Sequence, residues 1–398
     1  MLAVAILLGL CSTVAQAQSA TSQDKLRQIL ERARSGRDVA APASGAANVQ
    51  RKTLDPEQST LRNTLLRDAE AALARRDVLA AEALFDRAAN ILHAADTEIG
   101  LVRTYMQASA YRRALAFGAH TAGVHLDVVG GSALYAWLLQ VGGQHVLAQR
   151  LLNDTLARQP DNTFMLAVAK QLGRDTPLAD AALQVPPTRL APYGDTQGLA
   201  SHARVAGSAV LLSDGVHVLA PLALLPASGK VWVRNGLGQL RKARMHQRHR
   251  AWGIAVLTLE RALPVVEGLQ SHTGAVFPGS AGYALEYVTH PDADAAWPLL
   301  HVGFIGAPVG KGTQLALGVE LKDGSGGGPV FDAAGRLLGI AVASGHAGPP
   351  RLVSTHDLQH LLGKPLALPA PTGPALRAML DQLYEAGLKT ALQLITAR

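Results

Sequence analysis

Cysteine is almost missing: Cys11 is the one thiol in 398 residues. It precedes the A-x-A site at Ala15-Gln16-Ala17, so a chain cut after Ala17 has no thiol, and no disulfide can hold it together. Stability must then come from packing. Aromatic residues are also few, at 4%, whereas Gly alone numbers 39; such a composition suits close helix packing and turn-rich strands. Neither sign of charge dominates, with 37 Lys and Arg against 30 Asp and Glu. The net excess of +7 allows attraction to an anionic surface but fits ordinary solubility as well. Long apolar runs are wanting too. Met1–Leu10 falls short of the ~20 residues that a helix needs to cross a bilayer. With Val14-Ala15-Gln16-Ala17 behind it, this stretch reads as a secretory signal over residues 1–17, which places the mature chain in the periplasm. No glycine-rich loop stands between a strand and a helix to cradle phosphate. No aromatics alternate with the basic residues, as single-stranded nucleic acid would require. No cofactor is expected.

What is present divides the chain by pattern. Residues 18–57, rich in Ala, Ser, Arg and Gln, read as a flexible leader. Residues 58–174 are helical and self-similar. Ala81, Phe85 and Ala88 are followed after 33 residues by Ala114, Gly118 and Thr121, and after 34 more by Ala148, Leu152 and Thr155. A small residue, a second residue four on and a small one three later lets paired helices approach closely. This period resembles tetratricopeptide repeats, with Gly118 standing where an aromatic is usual. Such a stack would present a concave peptide-binding surface.

Residues 175–198 carry Pro177, Pro186, Pro187, Pro192 and Gly194, a linker pattern. Over 199–365 the period becomes two. Short apolar runs at Val205–Leu212, Val216–Leu219, Lys230–Val233, Ile254–Leu259, Ala281–Val288, Leu315–Val319, Pro329–Phe331 and Leu337–Val342 predict a sandwich or barrel. In the last segment, 366–398, apolar residues from Leu376 to Leu392 recur at three- and four-residue spacing and predict an amphipathic helix over Pro374–Ala397.

Gly324-Ser325-Gly326-Gly327-Gly328-Pro329-Val330-Phe331-Asp332, with Gly335-Arg336-Leu337-Leu338-Gly339-Ile340 after it, resembles the nucleophile loop of the trypsin/chymotrypsin superfamily. The likeness is nearest to its periplasmic Deg-type proteases. Registered on Gly327-Gly328-Pro329, the nucleophile position holds Gly326, and Ser325 falls one place early. Gly207–Leu224 is similar to the segment that carries the family's general base, which here falls on Leu222. Trp252–Leu259 is similar to the strand led by the orienting aspartate, which here falls on Gly253. The resemblance implies a double β-barrel over 199–365, so the chain is expected to be multidomain α plus β.

A serine hydroxyl is a weak nucleophile without a base in hydrogen-bond reach. Leu222 has no lone pair, Gly253 no carboxylate and Gly326 no hydroxyl. The expectation is therefore a pseudoprotease that binds protein or peptide as an adaptor or scaffold, with backbone N–H groups of Gly324, Ser325 and Gly326 forming an oxyanion-like cradle. Two alternatives stay open: an active endopeptidase with Ser325 as a displaced nucleophile, and a structural component of an envelope assembly. His217, five residues before Leu222, points to the opposite strand face. His246 and His249 belong to a basic tract in which Arg241, Lys242, Arg244, Arg248 and Arg250 offer an anion-facing surface or a gatekeeping strand edge. His290, Asp292, Asp294 and His301 read as a polar loop rather than a metal centre.

Overall fold

The computed structural model describes residues 54–174, 178–272, 274–309, 314–321, 326–343, 349–362 and 376–397. The expected signal segment and most of the leader lie outside them. Among the described residues, seven helices come first: α1 (Pro56–Ala74), α2 (Val78–Ile91), α3 (Ala95–Gln107), α4 (Tyr111–Val124), α5 (Val129–Val141), α6 (His145–Arg158) and α7 (Thr163–Leu172). Side-chain caps start three of them. Asp55, Asp77 and Asn162 accept from the N–H groups of Gln58, Ala80 and Met165, which satisfies donors that a helix start leaves unpaired.

Each helix packs on its sequence neighbours, and α1, α3, α5 and α7 also touch in succession. The odd-numbered helices thus form an inner row. Nearly every residue of α3 is buried. By contrast α2 buries Ala81, Phe85 and Ala88, and α6 buries Ala148, Leu152 and Thr155. In α4 the buried set includes Ala114, Gly118 and Thr121. The recurrence seen in the sequence is therefore the inward stripe of alternate helices. A β-carbon at Gly100 would lie 2.2 Å from the Phe85 ring, so the glycine is the notch that the ring fills.

The remaining strands close two six-stranded antiparallel barrels. The first holds β1 (Arg204–Leu211), β2 (His217–Pro221), β3 (Lys230–Asn235), β4 (Leu240–His249), β5 (Ile254–Leu259) and β12 (Ala391–Ala397). The second holds β6 (Ala281–Glu286), β7 (Leu299–Pro308), β8 (Leu315–Gly318), β9 (Pro329–Phe331), β10 (Leu337–Val342) and β11 (Arg351–Ser354). Helix α8 (Thr355–Leu362) follows the second barrel, and α9 (Leu380–Thr390) leads into β12.

Two expectations need correction. The terminal helix is shorter than its apolar spacing suggests: it stops at Thr390, and 391–397 is a strand between β1 and β3. Leu392 and Leu394 point into the first barrel beside Ala209, Val233 and Leu257, while Ala391 and Ile395 join the other core. That alternation is a strand's. The basic tract is likewise no sheet edge, because β4 pairs with β3 on one side and β5 on the other.

The connector is packed as well. Leu183 and Leu190 are buried, and Arg189 donates to the carbonyls of Gln184, Ala191 and Pro192. One hydrophobic cluster runs from Phe85, Tyr105 and Trp137 in the helices to Leu285, Tyr287 and Tyr384 among the barrels.

Candidate functional site

The two barrels meet around the Gly-Gly-Pro turn, and the geometry there follows from strand ends. β2 and β5 pair with Pro221 opposite Ile254. One rung further, the Leu222 N–H donates to the Gly253 carbonyl at 2.8 Å. Leu222 begins a short 3-10 turn, and Gly253 closes another with φ +66°. Gly326 enters β9 with φ +145°. Its carbonyl accepts from the Ser208 N–H of β1 at 2.9 Å, and the neighbouring Gly327 N–H donates to the Ala341 carbonyl of β10 at 2.7 Å.

These glycines are there for close approach as much as for dihedral freedom. A β-carbon on Gly327 would lie 2.0 Å from the Ser208 carbonyl oxygen, and one on Gly328 would lie 1.6 Å from that of Leu285. Ser208 belongs to the first barrel and Leu285 to the second, so the turn is clasped by both. The Ser208 hydroxyl adds a second tie by accepting from the Tyr287 N–H at 2.6 Å.

The structure thus brings Leu222, Gly253 and Gly326 to one place at the end of β10. A β-carbon on Gly253 would meet Val342 at 3.7 Å, and one on Gly326 would meet Ala343 at 3.5 Å. Space for a side chain exists at both; the left-handed backbone is what disfavours one. Gly324 and Ser325 lie outside the described residues.

The histidines weighed from sequence go elsewhere. His217 Nδ1 sits 2.6 Å from Asp214 Oδ2, and its ring stands 5.4 Å from that of His246. Burial pushes the Asp214 carboxyl up, but hydrogen bonds from His217 and Val216 outweigh it and hold the group below its usual range. His249 ends β4 opposite Ile254, with a shielded Nε2 that makes no hydrogen bond. The four polar-loop residues are not gathered on one centre. His290 bonds the backbone of Asp292, the Asp294 carboxylate accepts from Gln184, and His301 pairs with Glu286 at 2.8 Å. Lys242, Arg244, Arg248 and Arg250 are exposed along or just after β4, while Arg241 is half-buried and donates to the Ala262 and Leu240 carbonyls.

No family model matches the chain, and no curated protein is similar to it. Among solved structures, the MamO protease domain of Magnetospirillum magneticum in its apo form is 19% identical, with 40% of this chain and 96% of that one covered at a TM-score of 0.30. A serine endoprotease of Yersinia pestis is 16% identical, with 42% of this chain and 64% of that one covered at 0.30. The HtrA-type protease AlgW with a decapeptide is 19% identical, with 39% of this chain and 50% of that one covered at 0.31. No helix among the described residues is long and apolar enough to cross a membrane. Among the described residues, the two closed six-stranded barrels, clasping a Gly-Gly-Pro turn between them, form a trypsin-like double-barrel fold that runs past the expected bound at residue 365, because the strand Ala391–Ala397 closes the first barrel.

Proposed function

We propose that the double barrel is an exported, periplasmic pseudoprotease that binds protein or peptide as an adaptor or scaffold. The observation that carries this reading is the chemistry at the barrel junction. The three positions in triad register bear an isobutyl group and two hydrogens, and two of them sit in backbone conformations suited to glycine. Loss of a triad costs about a millionfold in turnover, whereas a cleft that recognises an extended peptide through its backbone does not depend on those side chains. The stacked helices, read as tetratricopeptide-like, would hold another part of the same partner on their concave face. The exposed cations of β4 would favour an acidic partner, with affinity that falls as salt rises.

A fluorophosphonate probe tests the reading directly. The purified chain should remain unlabelled and leave a fluorogenic peptide substrate intact. Labelling that disappears in Ser325→Ala would instead establish an active endopeptidase with a displaced nucleophile. The structural-component reading differs in another respect, since it requires no peptide affinity. Fluorescence anisotropy with labelled extended peptides should show saturable binding.

A further inference from the structure

Four side chains at one corner of the helical stack converge in a way that no ladder of strands or helices requires. His93 follows α2, Glu98 lies in the first turn of α3, and His120 and His125 stand at the end of α4. The Glu98 side chain is 1% exposed. Neither of its oxygens accepts a hydrogen bond, and the shielded His125 Nε2 makes none either. Instead, imidazole nitrogens face the carboxylate. His93 Nε2 lies 2.7 Å and His120 Nε2 3.4 Å from Oε1, and His125 Nε2 lies 3.4 Å from Oε2. The ligand atoms of His93, Glu98 and His125 all fall within 4.8 Å of one another.

A buried carboxylate is expensive unless a cation meets it. Each neutral imidazole has one N–H and one lone pair, and a carboxylate has lone pairs alone; a ring nitrogen that turns its lone pair to this focus is a metal ligand. A divalent ion at the common focus of His93, Glu98 and His125 satisfies these three side chains at once. Bonds of about 2.0–2.1 Å arranged as a tetrahedron set their ligand atoms roughly 3.3–3.4 Å apart, which is the spacing of His125 Nε2 from Glu98 Oε2. His93 stands nearer, but its ring is 59% exposed and has room to retreat. Imidazole with carboxylate and no thiolate is a donor set for zinc.

We infer that His93, Glu98 and His125 bind one zinc ion. The site takes three protein ligands, with His120 standing beside the fourth position of the tetrahedron. It ties the α2–α3 turn to the end of α4 and thereby clamps one helix pair to the next. Where helix pairs follow one another in series, a clamp of this kind restrains how the pairs can splay.

Metal binding by the full chain provides the test. After removal of metal by a chelator, titration with zinc should reach one ion per chain and raise Tm by about 5 °C or more at saturating metal. Cobalt in its place should give the intense visible absorption of a tetrahedral centre. Glu98→Gln and His125→Ala should each weaken zinc binding at least a hundredfold. His93→Gln changes an exposed ring and keeps the fold, so a loss of affinity there reports ligation alone. His217→Ala, at the other histidine–carboxylate pair, should change nothing. Stoichiometry well below one ion, or zinc affinity unaltered in His93→Gln and Glu98→Gln, would overturn the assignment. The histidines would then be imidazolium partners of Glu98 and nothing more. Neither outcome depends on whether the barrel binds peptide.

Discussion

Residue chemistry decides what the barrel junction can do, and backbone conformation decides whether it can be repaired. On the proposed triad register, Leu222→His, Gly253→Asp and Gly326→Ser together should not create a protease. A side chain at Gly326 or Gly253 must adopt a positive φ that costs about 1–3 kcal/mol, and relief of that strain moves the hydroxyl or carboxylate off its mark. The triple variant is therefore expected to show a lower Tm and no peptide hydrolysis above background, as measured by calorimetry and a fluorogenic assay. Asp332 carries a different load. Burial pushes its carboxyl up, but hydrogen bonds from His272 and from the N–H groups of Arg336 and Ala334 prevail and hold it below the ordinary value. The stabilisation is full above that ordinary value, near pH 3.9, and is lost as pH falls through the lower folded value. Asp332→Asn should cost about 1 kcal/mol at neutral pH. It should also flatten the decline of stability below roughly pH 4 in urea unfolding curves.

At the scale of elements, the last strand matters most. β12 fills the gap between β1 and β3, pairing Leu392 with Ala209 and Asn235, and Leu394 with Gly207 and Val233. Without it the first barrel has two open edges and loses the apolar plug of Leu392 and Leu394. Leu394→Ala should destabilise the chain by about 2–4 kcal/mol, read from chemical denaturation. Deletion of 391–398 should leave an aggregating chain with raised hydrophobic-dye binding. Much at this scale was legible in the sequence. The runs Ile254–Leu259, Pro329–Phe331 and Leu337–Val342 coincide with β5, β9 and β10, because alternation and turn residues mark short barrel strands locally. β4 was obscured because its outward face is a row of exposed cations, with few apolar positions to show a period. β7 was obscured for a similar reason: Val302 and Phe304 lie outward and exposed, so apolar residues occupy both faces.

Taken whole, the molecule does not behave as a helical module joined to a barrel by a loose tether. Tyr111 of α4 and Tyr384 of α9 are both fully buried, with ring centres 4.3 Å apart. Their hydroxyls donate to the carbonyls of Leu138 and Pro298. Gln107 donates to Tyr193 and Leu237, and Arg76 pairs with Asp195 at 3.2 Å. Arg234 of β3, almost wholly buried, reaches Gln393 of β12 and the Asp195 carbonyl of the connector. A continuous core of this kind should melt as one cooperative unit. Calorimetry is expected to show a single transition for residues 54–398. Tyr384→Ala should lower it by the equivalent of about 3–4 kcal/mol while keeping it single. Two separate transitions in the unsubstituted chain would contradict the shared core.

The sequence by itself determined the local matters: which helix faces turn inward, where most barrel strands run, and which residues, Leu222, Gly253 and Gly326, fill the triad register proposed for this chain. Each of these rests on side-chain identity or on a period that neighbouring residues reveal. Only the tertiary structure decided that the terminal strand closes the first barrel, that the basic strand has partners on both sides, and that Glu98 lies among three imidazoles. Those are contacts between residues far apart along the chain or on successive helices. The free energy that selects them comes from burial and charge pairing in the assembled core, and it leaves no mark in the local pattern.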